Sequence, residues 1–146
     1  MNIGMATNPQ NSSLRVILDS NVLISAYVFG GKPEIILDQV IKEEIQGVIS
    51  QILVSEFLDV LRKKFRVTKS RILEIREEVE DTFEMVFPKG TLKITQDDDD
   101  NRVLEAAVEG NCDYIVTGDK ELLDLGIYKG IKIFTPDQFL KLLKEI

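Results

Sequence analysis

Asp19 directly follows the apolar run Leu14–Leu18, Asp119 stands two residues beyond Thr117, Glu56 falls inside a helical repeat, and Asp97–Asp100 form an unbroken acidic run. These carboxylates matter because of what is missing around them. The chain contains no histidine and one cysteine, Cys112. Ser-His-Asp triads, Cys-His dyads and His- or Cys-rich zinc sites are therefore excluded within the chain. Carboxylates brought together without a balancing base repel one another, and divalent cations relieve that repulsion best. Oxygen-only donors suit Mg²⁺ or Mn²⁺ rather than zinc. The chemistry to expect from such a cluster is metal-assisted hydrolysis.

Positioning these acids requires a scaffold, and the hydrophobic pattern supplies one. Leu14–Leu18 reads as a buried strand, followed by a helix over 21–29 that Gly30-Gly31 stops. Pro33 opens a second helix to about Gln46, and 47–50 forms a second strand. Apolar positions 54, 57, 58, 61 and 65 predict a third helix from Ile52 to about Phe65. Thr68 is a fitting N-cap for a fourth, with Ile72, Ile75, Val79 and Phe83 along one stripe. Residues 85–87, 113–117 and 131–134 read as further strands, a helix follows the acidic run, and Pro136 begins a closing helix. Strands alternating with helices imply right-handed βαβ units. The expected fold is a single three-layer α/β/α domain over residues 14–146, with a mostly parallel five-stranded sheet. Residues 1–13 carry no side-chain charge and read as a disordered tail.

In an open parallel sheet, ligands bind beyond the carboxyl ends of the strands where strand order reverses. Asp19 and Asp119 share that crevice if their strands are neighbours. Ile52, Glu56 and Val60 lie on one helical ridge beside the apolar stripe, which should turn Glu56 toward the sheet. Asp100 precedes Val103, Leu104 and Ala107 in phase, so it points inward from the first turn of its helix, while Asp98 or Asp99 can cap that helix. Asp97 can join from the loop.

The segments Leu18-Asp19-Ser20-Asn21-Val22-Leu23-Ile24, Ser55-Glu56-Phe57-Leu58, DDDDNRVLEAA from Asp97 and DYIVTGDKELL from Asp113 together resemble the PIN-domain ribonuclease family. The match runs from about Arg15 to the C-terminus, including the closing stretch from Lys132 to Leu140. More narrowly, it resembles the branch of toxin components of toxin–antitoxin systems. The resemblance implies a Mg²⁺- or Mn²⁺-dependent endoribonuclease with an acidic quartet at Asp19, Glu56, Asp100 and Asp119. Asp97 is then an auxiliary acid, and Ser20, Asn21 and Thr117 support the site. Ser20 stands where many relatives have Thr, and Asp98 where they often have Pro. The expected partners are an RNA substrate, a cognate antitoxin protein and further copies of the chain in a homodimer or higher oligomer.

A net charge of −7 is awkward for a protein that approaches a polyanion. Residues 62–71, however, carry Arg62, Lys63, Lys64, Arg66, Lys69 and Arg71 and no acid, which leaves 12 basic against 25 acidic residues elsewhere. Arg62, Lys63, Lys64 and Arg66 are the candidate RNA-binding residues; a plain solubilising turn or an antitoxin contact is the alternative. Lys32 is a weaker candidate. A phosphatase of the haloacid-dehalogenase type also ends its first strand in a nucleophilic Asp. It needs a second Asp two residues on, where this chain has Asn21. A phosphorylatable receiver module needs an acceptor Asp after its third strand, where Pro88-Lys89-Gly90 stand. A catalytically silent PIN scaffold binding RNA or protein is a further alternative. The absence of a long apolar run and of a secretion-signal pattern points to a cytoplasmic protein away from membranes, with Cys112 as a small buried core residue.

Overall fold

The computed structural model describes residues 14–146; the expected tail, 1–13, lies outside the described residues. Along the chain run β1 (Arg15–Leu18), α1 (Ser20–Val28), α2 (Gly31–Ile41), β2 (Gln46–Ser50), α3 (Gln51–Lys63), α4 (Lys69–Thr82) and β3 (Phe83–Val86). They are followed by α5 (Asp98–Glu109), β4 (Tyr114–Val116), α6 (Lys120–Leu125), β5 (Ile127–Tyr128), β6 (Ile131–Phe134) and α7 (Pro136–Glu145). The sheet order is β3-β2-β1-β4-β6-β5, parallel except for the β5–β6 pair.

The central strands are apolar on both faces because both are covered. Ile17 pairs with Val48 on one side and Ile115 on the other, and all three are inaccessible to solvent. From β1 the chain steps outward to β2 and β3, then returns to β4 on the far side of β1. Right-handed crossovers consequently place α1–α4 on one face and α5 on the other. The packing agrees: α1 meets α2 and α3, α3 meets α4, and α5 lies against β1, β2 and β4. Gly110 ends α5 where a Cβ would lie 2.6 Å from the side chain of Val48, so the absence of a side chain lets the helix end settle on β2. Cys112 is buried in the core, and burial pushes its thiol up to about 12, which keeps it protonated.

Several element boundaries differ from those expected. Among the described residues the sheet has six strands, not five: β5 is a two-residue antiparallel edge segment, turned back by Lys129 and Gly130, both at positive φ. The short helix α6, between Asp119 and Gly126, was not expected either. Helix α2 starts at Gly31 rather than Pro33 and stops at Ile41 rather than near Gln46, because Glu43 takes a left-handed conformation and turns the chain into β2. The third strand is 83–86 instead of 85–87, aligning Phe83 with Gly47. Among the described residues, no helix is long and apolar enough to cross a membrane.

Candidate active site

Strand order reverses at β1, whose neighbours are β2 and β4, so the carboxyl ends of β1 and β4 form the crevice where ligands of open α/β sheets bind. Asp19 is fixed at its edge by three contacts. Its N–H donates to the Val116 carbonyl at 3.1 Å, extending the β1–β4 pairing by one residue. Its Oδ1 accepts from the Val22 N–H at 2.9 Å, capping α1. Its Oδ2 accepts from the Thr117 hydroxyl. The Thr117 oxygen in turn accepts the Asp119 N–H at 2.9 Å, tying the two acidic corners together. Asp119 caps α6 through Oδ1, which accepts from Glu121 N–H at 2.8 Å.

The third corner comes from α5. Asp100 is 6% exposed, and its Oδ2 is buried with no hydrogen-bond partner in the chain. Asp97, Asp100 and Asp119 each offer a carboxylate oxygen, and these three atoms lie within 4.8 Å of one another. They line a cleft of about 160 Å³ together with Asp19, Ser20, Asn21, Glu56 and Asp99. Burial, then the charges of Asp119, Asp97, Glu121 and Asp19, push Asp100 up to about 7. Glu56 is also pushed up to about 7, by burial first and then by Asp99. Burial raises Asp19 as well, against the opposing hydrogen bond from Thr117. The cleft thus concentrates negative charge that the protein itself does not neutralise.

A PIN-domain family profile matches residues 15–121, which includes every one of these acids. This chain is a PIN-domain protein. Among solved structures, PAE2754 from Pyrobaculum aerophilum shares the fold, with a TM-score of 0.56 at 18% identity, over 92% of this chain and 94% of that one. Comparison with curated proteins gave no match. PIN domains are generally nucleases that use divalent metals, and the donor set of this PIN domain fits such an ion. All candidate ligands are carboxylate oxygens, and one of the residues, Asp100, has a buried oxygen with no hydrogen-bond partner.

The structure gathers Asp19, Glu56, Asp97, Asp100 and Asp119 around one cleft, with Ser20 and Asn21 in its wall and Thr117 beneath Asp19. Two local expectations need correction. The N-cap of α5 is Asp97, whose Oδ1 accepts the Asp99 N–H at 2.8 Å, not Asp98 or Asp99. The Ile52–Glu56–Val60 ridge is only partly covered: Ile52 is 46% exposed, whereas Glu56 is half-buried on the acidic cleft and Val60 packs against the core. Of the basic residues, Lys63 and Lys64 line a groove that shares Glu56, Val60 and Asp99 with the acidic cleft. Arg62 pairs with Asp59 at 3.1 Å on the helix surface, and Arg66 stands exposed in a left-handed turn. Lys32 pairs with Asp137 at 2.7 Å, tying α2 to α7.

Sequence reasoning missed the residues of α5 that hold the loop over 87–97. Asn101 is buried; its Oδ1 accepts from Ile94 and Thr95 N–H at 3.0 and 2.8 Å, and its Nδ2 donates to the Thr95 carbonyl at 3.0 Å. Glu105, also buried, accepts from Leu92 N–H at 2.8 Å and pairs with Arg102 at 2.5 Å. These anchors fix the loop that delivers Asp97. The available signal was an Asn and a Glu four residues apart, flanking the apolar stripe of Val103, Leu104 and Ala107.

Proposed function

We propose that this PIN domain is a Mg²⁺- or Mn²⁺-dependent endoribonuclease that hydrolyses RNA phosphodiester bonds, acting in the cytoplasm as the toxin of a toxin–antitoxin pair. The observation that carries the reading is the buried, unpartnered Asp100 Oδ2 beside the carboxylates of Asp97 and Asp119. Asp97, Asp100 and Asp119 would hold the cation with Asp19 as a further ligand, and Glu56 completes the acidic wall. When bound, a divalent cation would supply the Lewis acidity that lowers the pKa of water and offsets charge on a leaving oxygen.

The chain's own groups do the positioning. Thr117 holds Asp19 and the Asp119 backbone in one arrangement, so the acids need not reorganise when substrate arrives. Glu56, pushed up to about 7, is matched to accept a proton from attacking water at neutral pH. Lys64, and Lys63 once it leaves Asp59 at 3.7 Å, border the approach and can meet the phosphate backbone. A cognate antitoxin and a homodimer belong to the same reading.

Cleavage of total cellular RNA with mapping of the new ends tests it. The expected result is metal-dependent cleavage leaving 5′-phosphate and 3′-hydroxyl ends, lost in EDTA and regained with Mn²⁺. Full activity in EDTA, or a phosphoenzyme trapped at Asp19 on a small phosphate ester, contradicts the proposal.

A further inference from the structure

A second cavity, of about 490 Å³, opens at the carboxyl ends of β2 and β3. Its size lies within the range of small-ligand sites, roughly 300–1,000 Å³. It is walled by the start of α3, the segment after β3, and α5. We propose that this cavity is a nucleobase subsite, in which one base of the RNA strand stacks on Phe87 while the backbone lies at the acidic cleft. The inference rests on the nuclease reading and adds a structural element that confers base preference.

Position comes first. The two cavities share α3 and α5 as walls: Ser55 lines one and Glu56 the other, Arg102 one and Val103 the other. They stand on the same rim of the sheet, β3 being two strand spacings, about 10 Å, from β1. A strand whose phosphate sits among the acids therefore has a neighbouring nucleotide within reach of the second cavity.

Charge then sorts what each cavity accepts. The acidic cleft suits a cation, and the adjoining groove mixes Lys63 and Lys64 with Glu56, Asp59 and Asp99. The second cavity contains one ionic pair, Arg102 with Glu105 at 2.5 Å, which cancels its own charge. An anionic phosphate gains little there, whereas an uncharged planar base brings no net charge to be desolvated. Phe87 is 70% exposed and faces the same opening as Ile52, so an aromatic ring and an aliphatic wall await a partner. Bases of single-stranded RNA stack on such rings and use nearby polar groups for their edges. The amide of Gln51 and the hydroxyl of Ser55, both exposed on the first turns of α3, supply those groups. Two lining residues, Arg102 and Glu105, are themselves held in place, Glu105 accepting from the Leu92 N–H and Arg102 donating to the Leu92 carbonyl at 3.1 Å.

Steady-state cleavage of a short single-stranded RNA by the whole chain, in saturating Mn²⁺, tests the subsite. The comparison is wild type, Phe87→Ala and Phe87→Trp, each on the intact strand and on strands carrying one abasic nucleotide at successive positions. Phe87→Ala should lower kcat/KM about fivefold or more, the loss expected for one stacked base. Phe87→Trp should restore it, and calorimetric Mn²⁺ affinity should stay unchanged in both. One abasic position should reproduce the loss in wild type and add nothing to Phe87→Ala. Equal kcat/KM for wild type and Phe87→Ala, with no sensitive abasic position, overturns the subsite while leaving the nuclease reading intact. A wild type that binds Mn²⁺ but neither binds nor cleaves RNA overturns both. If Phe87→Ala instead abolishes self-association in sedimentation and leaves kinetics unchanged, the cavity is a protein interface and the proposal falls.

Discussion

Helix α5 carries two buried carboxylates five residues apart, and they have opposite surroundings. Glu105 is 4% exposed and Asp100 is 6% exposed. Glu105 has Arg102 at 2.5 Å and the Leu92 N–H at 2.8 Å. Asp100 has an oxygen with no partner, and the nearest charges around it are other acids. Burial alone does not mark a functional carboxylate, since both have it. The missing counter-charge is what sets Asp100 apart. Glu105 serves the fold by clamping a loop, whereas the ionised Asp100 has no cation in the chain to offset its charge.

Exchanging the charges separates the two roles most sharply. Asp100→Asn should reduce metal-dependent RNA cleavage by on the order of 100-fold or more, while metal-free melting stays level or rises. Glu105→Gln should do the reverse. It leaves the Arg102 guanidinium half-buried without its counter-charge, costing about 3 kcal/mol in denaturant unfolding. If Glu105→Gln is as stable as wild type, the clamp is not what holds the loop.

Asp19 lies between these extremes, because both its oxygens are hydrogen-bonded yet burial still raises its pKa. Asn at this position keeps a capping oxygen for Val22 and removes one repelling charge. Asp19→Asn should therefore raise the metal-free melting temperature by a few degrees and reduce the stabilisation gained from Mn²⁺. Equal Mn²⁺ gains in the two proteins would place Asp19 outside the ligand set.

The strand–helix alternation and the meeting of Asp19 with Asp119 were legible in the sequence because each acid closely follows a short apolar strand. Asp100 was legible from its phase with Val103 and Leu104. What stayed hidden depends on tertiary context. Four consecutive aspartates have the same capping tendency, and only the path of the loop, set by Asn101, makes Asp97 the cap. Glu105 and Arg102 look like any solvent-facing pair three residues apart until a loop covers them. Strand β5 has two residues, too few for any alternation, and exists because Lys129-Gly130 folds it onto β6.

The uncompensated acids also set a pH dependence. Folded-state values near 7 for Asp100 and Glu56 exceed the ordinary carboxylate range near 4, so the metal-free fold binds protons that the unfolded chain releases. Metal-free stability should therefore rise as pH falls through about 7 and level off near 4. Saturating Mn²⁺ should invert the upper part of that trend, since protons then compete with the cation. Thermal melts across pH, with and without Mn²⁺, read both slopes; parallel slopes would mean that the acids and the cation do not share a site.

The smallest effect belongs to the basic groove. Replacing Lys63 and Lys64 with Ala should flatten the dependence of log K on log salt for RNA binding, by about 0.7 for each phosphate that the lysines no longer neutralise. An unchanged slope together with failure to bind a partner protein would assign these lysines to an antitoxin interface.

The central claim, that the acidic cleft is built for a divalent cation, is tested most directly by unfolding free energies of wild type and Asp100→Asn over a Mn²⁺ titration. Binding to the folded cleft alone should stabilise wild type as RT ln(1 + [L]/Kd), about 2.7 kcal/mol at a hundredfold excess over Kd. Asp100→Asn should retain only a small part of that gain at the same Mn²⁺ concentration. Equal stabilisation of the two proteins, or none in wild type, would contradict the account.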